Sequence, residues 1–431
     1  MSKRTEGKKL MPRLRFPEFR DAGPWEVKRL GEVAKLITER AGENDYLLLS
    51  ITAGVGLIPQ SEKFGREIAG KQKRNYYVIR RYDFAYNKSA TKEYPQGYIA
   101  LYEGDEPAAV PNSIFVCFRP VLHSASPNYM SYLFEANFHG RYLEKVITIG
   151  ARAHGSLNID NNDVLAIPLP MPTLEEQQKI ADCFSSLDEV IELQAKKLEA
   201  LKAYKKGLMQ QLFPREGEAT PRLRFPEFRD AGPWEVKRLG DIAESLTSLS
   251  GKTSKDFGRG NALYVPYINV YENTFVDPDR LERVDIGLDE KQNAVRPGDI
   301  LFTVSSETPD EAGMSSVVLD DISSCYVNSF CTIYRPIQSV QIDYVFVGYY
   351  LRSPIVRKHF LKTAQGAIRF NLNRKAFDRT PILLPSPREQ QKIADCLSSL
   401  DEVIELQAKK LEALKAHKKG LMQRLFPQEE V

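Results

Sequence analysis

Two short stretches of the chain hold side chains suited to matching the polar edges of another molecule. Asn87-Lys88-Ser89-Ala90-Thr91-Lys92 and Thr303-Val304-Ser305-Ser306-Glu307-Thr308 are rich in amides and hydroxyls, and each ends near a glycine, Gly97 or Gly313. Such groups both donate and accept hydrogen bonds, the capacity needed to read base edges in the major groove of a duplex. Lys88 and Lys92, with Lys73 and Arg74 upstream, add positive charge that neutralises phosphates. Residues 150–158 (GARAHGSLN) and 365–373 (QGAIRFNLN) form a third candidate surface, in which Arg152, Arg369 and Asn371 reach phosphates or bases, or else cap local turns. The bland alternative is that loops differ because nothing constrains them.

The net charge of +3 is uninformative until it is resolved along the chain. Residues 63–92 carry nine basic side chains against Glu67 and Asp83, and residues 352–379 carry eight against Asp378. One basic region in each half of a nearly neutral protein points to a polyanion as partner, with a plain solvated face as the alternative.

These stretches sit inside a frame that occurs twice. Residues 12–34 and 221–243 differ only at Glu32/Asp241 and Val33/Ile242, and residues 176–214 and 389–427 only at Phe184/Leu397, Tyr204/His417 and Gln211/Arg424. The blocks between, 35–175 and 244–388, are divergent. At a constant offset of 216, Asp83 falls on Asp299, Gly97 on Gly313, Asn112-Ser113 on Asn328-Ser329 and Phe118-Arg119-Pro120 on Tyr334-Arg335-Pro336. Asp83–Tyr86 with Asp299–Phe302, and Ile114–Phe118 with Phe330–Tyr334, read as equivalent strands. The pattern is one fold used twice with different loops. Trp25 and Trp234, beside the Gly23-Pro24 and Gly232-Pro233 turns, read as core anchors. Residues 1–10 read as a disordered tail and Arg215–Thr220 as a linker.

The second repeat is a long amphipathic helix. Ile180, Leu187, Gln194, Leu201 and Leu208 recur every seven residues, interleaved with Phe184, Ile191, Leu198, Lys205 and Leu212, until Pro214 stops the run. Ile393, Leu400, Gln407, Leu411 and Leu414 repeat the seam in the second copy. Each helix is a rod of roughly 50 Å, and the nearest complementary partner for its apolar stripe is the other copy. An antiparallel coiled coil would place Gln194 and Gln407 near its middle, where polar residues fix register. The alternative is that the helices bind other proteins. The fold class is therefore α+β: two pseudo-twofold-related mixed domains separated by two long helices. The boundaries are 12–175 and 221–388 for the domains with their proximal segments, and 176–214 and 389–427 for the helices.

Composition excludes other classes. No apolar run approaches a membrane span, and no CxxC pair occurs among Cys117, Cys183, Cys325, Cys331 and Cys396, which suits a reducing cytoplasm and argues against zinc. The chain lacks GxxxxGK[ST], GxGxxG, GxSxG and HExxH motifs and the Asn/Asp-Pro-Pro-Tyr/Phe element of amino methyltransferases, and its five histidines are scattered. Chemistry of its own is not expected.

The duplicated Trp-x-x-x-x-Leu-Gly start, the entries IPLPMPTLEEQQKIA and PILLPSPREQQKIA, and the twin heptad helices resemble the specificity subunit of type I restriction-modification systems, from Pro12 to Pro427. The resemblance implies two target-recognition domains, each reading one half of an asymmetric, gapped sequence in double-stranded DNA, with the helices as a spacer. It also implies two modification subunits carrying S-adenosylmethionine and adenine N6 methyltransferase activity, and two restriction subunits using ATP and magnesium. None of these cofactors is expected on this chain. Two other classes compete: an enzyme with an unseen catalytic domain, and a pure interaction scaffold, from which salt-sensitive DNA binding would separate the recognition reading.

Overall fold

The computed structural model describes residues 10–66, 70–147, 157–287, 289–308, 311–364 and 370–427. It divides into two compact units, one made of residues 1–194 with 410–431 and the other of residues 195–409. Each unit therefore takes its long-helix pair from both copies of the heptad repeat.

In the first unit, strand Glu26–Arg29 pairs antiparallel with Pro168–Met171, the Pro-rich segment that leads into the first long helix, Leu174–Leu212. A four-stranded sheet follows in the order Ala34–Leu36, Phe115–Pro120, Phe84–Asn87, Tyr98–Leu101. The second unit repeats both features. Glu235–Arg238 pairs with Pro381–Leu384 ahead of the helix Pro387–Leu425, and a sheet runs Ala243–Leu246, Cys331–Pro336, Ile300–Thr303, Ser315–Val317. The expected equivalent strands are present, each starting one residue later than the apolar pattern suggested. A further sheet in each unit repeats only in part: a parallel pair is common to both, Leu47–Thr52 with Ala108–Val110 in the first and Phe257–Val265 with Cys325–Val327 in the second, but it is flanked by Gly56–Pro59 and Tyr77–Ile79 in the first and by Glu282–Val284 in the second.

The long helices run antiparallel within each unit. In the first, Phe184 stacks on Phe426 at 5.7 Å and Lys418 meets Asp188 at 2.8 Å; in the second, Lys205 meets Asp401 and Leu397 shares a core with Leu212 and Phe213. The heptad seam is the covered side. Ile180, Leu198, Ile393, Gln407 and Leu411 are buried, and Leu187, Gln194, Leu201, Leu400 and Leu414 are half-buried, whereas Val190, Leu193, Val403 and Leu406 off the seam are exposed. Phe426 also meets Tyr129 and Phe138, and Phe213 meets Trp234, Phe346 and Tyr350, so the end of one long helix closes the core of the unit that begins the other.

The proximal repeat is locked down by a buried ion pair. Arg15 donates to both carboxylate oxygens of Glu176 at 2.7 and 2.6 Å and to the carbonyls of Ala22 and Gly23. Arg224 does the same with Glu389, Ala231 and Gly232. Trp25 and Trp234 are both buried, as expected of anchors. Leu10, placed by the sequence in a disordered tail, is instead fully buried, and its carbonyl accepts the Trp25 N–H at 2.9 Å; residues 1–9 lie outside the described residues. Apolar packing on Trp25 outweighs the polar bias of its neighbours. Among the described residues no helix is long and apolar enough to cross a membrane.

Candidate nucleic-acid interface

The candidate loops leave the same strand in both units. Asn87 ends Phe84–Asn87, opposite Tyr98 on one side and Phe115 on the other; Thr303 ends Ile300–Thr303, opposite Cys331. The next residue is held identically. The Lys88 N–H donates to the Ile114 carbonyl at 2.9 Å, and the Lys88 carbonyl accepts from Leu157 at 2.8 Å. Val304 donates to the Phe330 carbonyl at 2.9 Å and accepts from Leu372 at 3.0 Å. The two surfaces separated in sequence, the loop after the strand and the segment before the long helix, are thereby brought together. In the second unit they form a two-residue ribbon, with Ser305 opposite Asn371 and Ser306 opposite Phe370.

Beyond that point the units part. In the first, the Asn87 Oδ1 accepts the Ser89 N–H at 3.0 Å and the Thr91 hydroxyl accepts the Tyr94 N–H at 3.1 Å, forming a turn with Lys88 and Ser89 half-buried and Thr91 and Lys92 exposed. Gly97 closes it at φ +82°, where a Cβ would lie 2.4 Å from the Asn87 carbonyl oxygen, so only glycine fits. In the second, Thr303 is not at the surface. It is fully buried, its hydroxyl donating to the Glu311 carbonyl at 2.6 Å and accepting the Met314 N–H at 3.0 Å. Ser306 is also buried and donates to the Thr308 carbonyl. Both hydroxyls shape the loop, which removes Thr303 and Ser306 from the contact candidates. Ser305 is half-buried, and Thr308 and Asn371 are exposed. Arg152 and Arg369 lie outside the described residues.

A buried clamp holds the strand that presents each loop. Asp83, 1% exposed at its side chain, accepts from Arg119 at 2.6 and 2.7 Å and from the Arg80 N–H at 2.6 Å. Asp299 accepts from Arg335 at 2.8 and 2.7 Å and from the Arg296 N–H at 2.8 Å. The carboxylates push both guanidinium pKa values up. The clamp was not recognised in the sequence, although Asp83/Asp299 and Arg119/Arg335 at one offset in otherwise divergent blocks were its signal.

The basic regions are largely spent inside the protein. Lys73 pairs with Asp45 at 3.1 Å, Arg74 with Glu43 at 3.0 Å, Arg80 with Glu39 and Arg81 with Asp105. In the second unit the half-buried Arg352 donates to the carbonyls of Val270, Tyr271, Asn273 and Ser315, and desolvation lowers its pKa to about 10. Lys358 and Lys362 both bind Glu216, which holds that carboxyl at about 2, and Arg374 reaches Asp378 at 3.5 Å. Counting charge within 63–92 and 352–379 included Asp378 but missed Glu39, Glu43, Asp45, Asp105 and Glu216, which lie elsewhere in sequence. Within these two regions, among the described residues, Lys63 and Arg352 donate to backbone carbonyls, and Arg66, Lys88, Lys92, Lys375 and Arg379 are left without an ion-pair partner; of these Lys88 and Lys92 lie on the first candidate loop. No group of three or more His, Cys, Asp or Glu able to hold a metal occurs among the described residues.

Comparison with known proteins gives the same duplication. The model of the type I restriction-modification DNA specificity domain matches residues 23–203 and again 232–416. Two relatives from Methanocaldococcus jannaschii, named as type I restriction enzyme specificity subunits MjaX and MjaVIII, are each 26% identical, over 77% and 66% of this chain and 74% and 67% of their own. A solved chain from a study of complex assembly and conformational transition in a type I R-M system covers 94% of this chain and 98% of its own, at 20% identity and a TM-score of 0.59. The type I restriction-modification S subunit of M. genitalium covers 97% and 100%, at 15% and 0.53, and both structures share the fold. With the family model matched over each half, this chain belongs to the type I restriction-modification DNA specificity family and carries two DNA specificity domains.

Proposed function

We propose that the two domains read the two halves of one asymmetric, gapped target in double-stranded DNA, and that the long helices set the distance between the half-sites. The observation that carries this reading is one frame holding two different loops: Lys88 and Val304 are fixed by the same pair of backbone hydrogen bonds, yet the side chains that follow differ at nearly every position. A fixed frame gives a common approach to the duplex, and different side chains select different bases. The unpaired Lys88, Lys92, Lys375 and Arg379 supply phosphate contacts and make affinity depend on salt.

In this reading the chain works in the cytoplasm without catalysis of its own. It directs two modification subunits that carry S-adenosylmethionine and methylate adenine at N6, and two restriction subunits that use ATP and magnesium. Modification-sensitive long-read sequencing of the host with and without the gene tests this directly. Loss of adenine methylation at one gapped, asymmetric motif is expected; an unchanged methylome, with the methyltransferase subunit expressed, contradicts it.

A further inference from the structure

Asn158 and Asn371 each lie two residues before a helix N-cap. Each is exposed, and each is followed by a buried apolar residue, Ile159 at 6% or Leu372 at 5%, that pins the segment to the core. Next comes an N-cap: the Asp160 carboxylate accepts the Asn162 and Asp163 N–H groups at 2.7 and 3.0 Å, and the Asn373 amide oxygen accepts the Ala376 N–H at 3.0 Å. The capped helices, Asn161–Leu165 and Arg374–Asp378, rest on the duplicated Leu-Gly turn. A Cβ on Gly31 would lie 3.2 Å from Leu165, and one on Gly240 3.0 Å from Asp378, so the glycine permits that close seat. On the other side, the backbone is tied to the candidate loop through Leu157 to Lys88 and Leu372 to Val304. Counted from the caps, these bonds differ in register by two residues, a shift that keeps extended side chains on the same face.

We propose that Asn158 and Asn371 are specificity-determining residues, one per half-site, each reading a base that offers a donor beside an acceptor, adenine foremost. The proposal deepens the functional reading above and rests on it. An asparagine amide carries one donor and one acceptor group side by side and matches adenine N6 and N7 in the major groove. Both residues sit on rigid supports at both ends, which a base-reading side chain requires. Their surroundings differ: Asn371 lies opposite Ser305, whereas Asn158 follows Leu157, which is tied to Lys88, so a shared base is read within two different sequences.

The test sequences the methylomes of hosts carrying Asn158→Ala or Asn371→Ala in place of the wild-type chain. Each variant is expected to relax the requirement at one base position of one half-site by about tenfold or more and to leave the other half-site unchanged. Two results overturn the assignment: motifs identical to wild type in both variants, or a uniform loss of methylation over all sites while the melting temperature of the assembled complex is unchanged, which marks a phosphate contact. If the wild-type gene itself changes no methylation relative to its deletion, the functional reading fails first; a wild-type motif with unaltered variants fails this assignment alone.

Discussion

The loop in the first unit is open, whereas its counterpart in the second is folded in on itself. Residues 87–92 form a turn whose outer side chains, Thr91 and Lys92, are exposed, but Thr303 and Ser306 are buried and spend their hydroxyls on the carbonyls of Glu311 and Thr308. Behind the loops nothing changes: Asp83 with Arg119 and Asp299 with Arg335 clamp the presenting strand in the same way. Side chains that hold the frame are therefore repeated even inside the divergent blocks, and a polar residue's type does not reveal whether it faces a partner or its own backbone. Thr303 and Asn87 occupy equivalent positions, one as internal strut and the other half-buried at the turn.

The largest expected effect lies where the units are identical. Arg15→Met and Arg224→Met each strand a buried glutamate, 1% exposed at its side chain, and should destabilise their own unit by about 3–5 kcal/mol. Denaturant unfolding should give similar losses, slightly smaller for Arg224→Met because the Trp234 Nε1–H still donates to Glu389 at 3.3 Å; a twofold difference would break the equivalence of the frame. Arg119→Met and Arg335→Met should cost less, because solvent screens these cations. The loss should be nearer about 2 kcal/mol for Arg119, whose side chain is 47% exposed, and larger for Arg335, at 25% exposed and also bound to the Ala294 carbonyl.

Acid should separate the units next. Burial against Tyr86 and Phe134 lowers the His139 pKa to about 4, whereas His359 is lowered while only half-buried. Between pH 6.5 and 4 the unfolded chain protonates this histidine and the folded first unit does not, so its stability is intact above pH 6.5 and falls as pH drops toward 4, by up to about 3 kcal/mol. Thermal melts across that range should show a shallower slope for His139→Leu; an unaltered slope would remove His139 from the explanation. The smallest effect concerns charge. Lys88→Ala or Lys92→Ala should each lower the salt dependence of DNA binding by about one phosphate contact, while Lys73→Ala, its charge met by Asp45, should change it little. Fluorescence anisotropy over a salt series measures both.

The elements were legible where a pattern is local and repeated. The heptad run from Ile180 to Leu212 folds as helix because its apolar positions share one face, and the constant offset from Asp83 to Pro120 marks strands that pair in the same order in both units. Partnership over long separations was not legible. Glu39, Glu43, Asp45, Asp105 and Glu216 quench basic residues that look free in a window of thirty residues, and Arg352 is consumed by backbone carbonyls of a segment eighty residues away. The meeting of the strand-end loop with the segment before the long helix also depends on backbone hydrogen bonds, for which side-chain identity gives no sign.

One domain reading one half-site is tested most directly by a chain that carries the second block, residues 244–388, in both positions, between the duplicated frames. Methylome sequencing of a host expressing that chain with its modification subunit should recover a motif whose two halves are the same sequence in inverted orientation. Methylation that stays on the original asymmetric motif, in a complex that assembles normally, would contradict the assignment of one half-site to each domain.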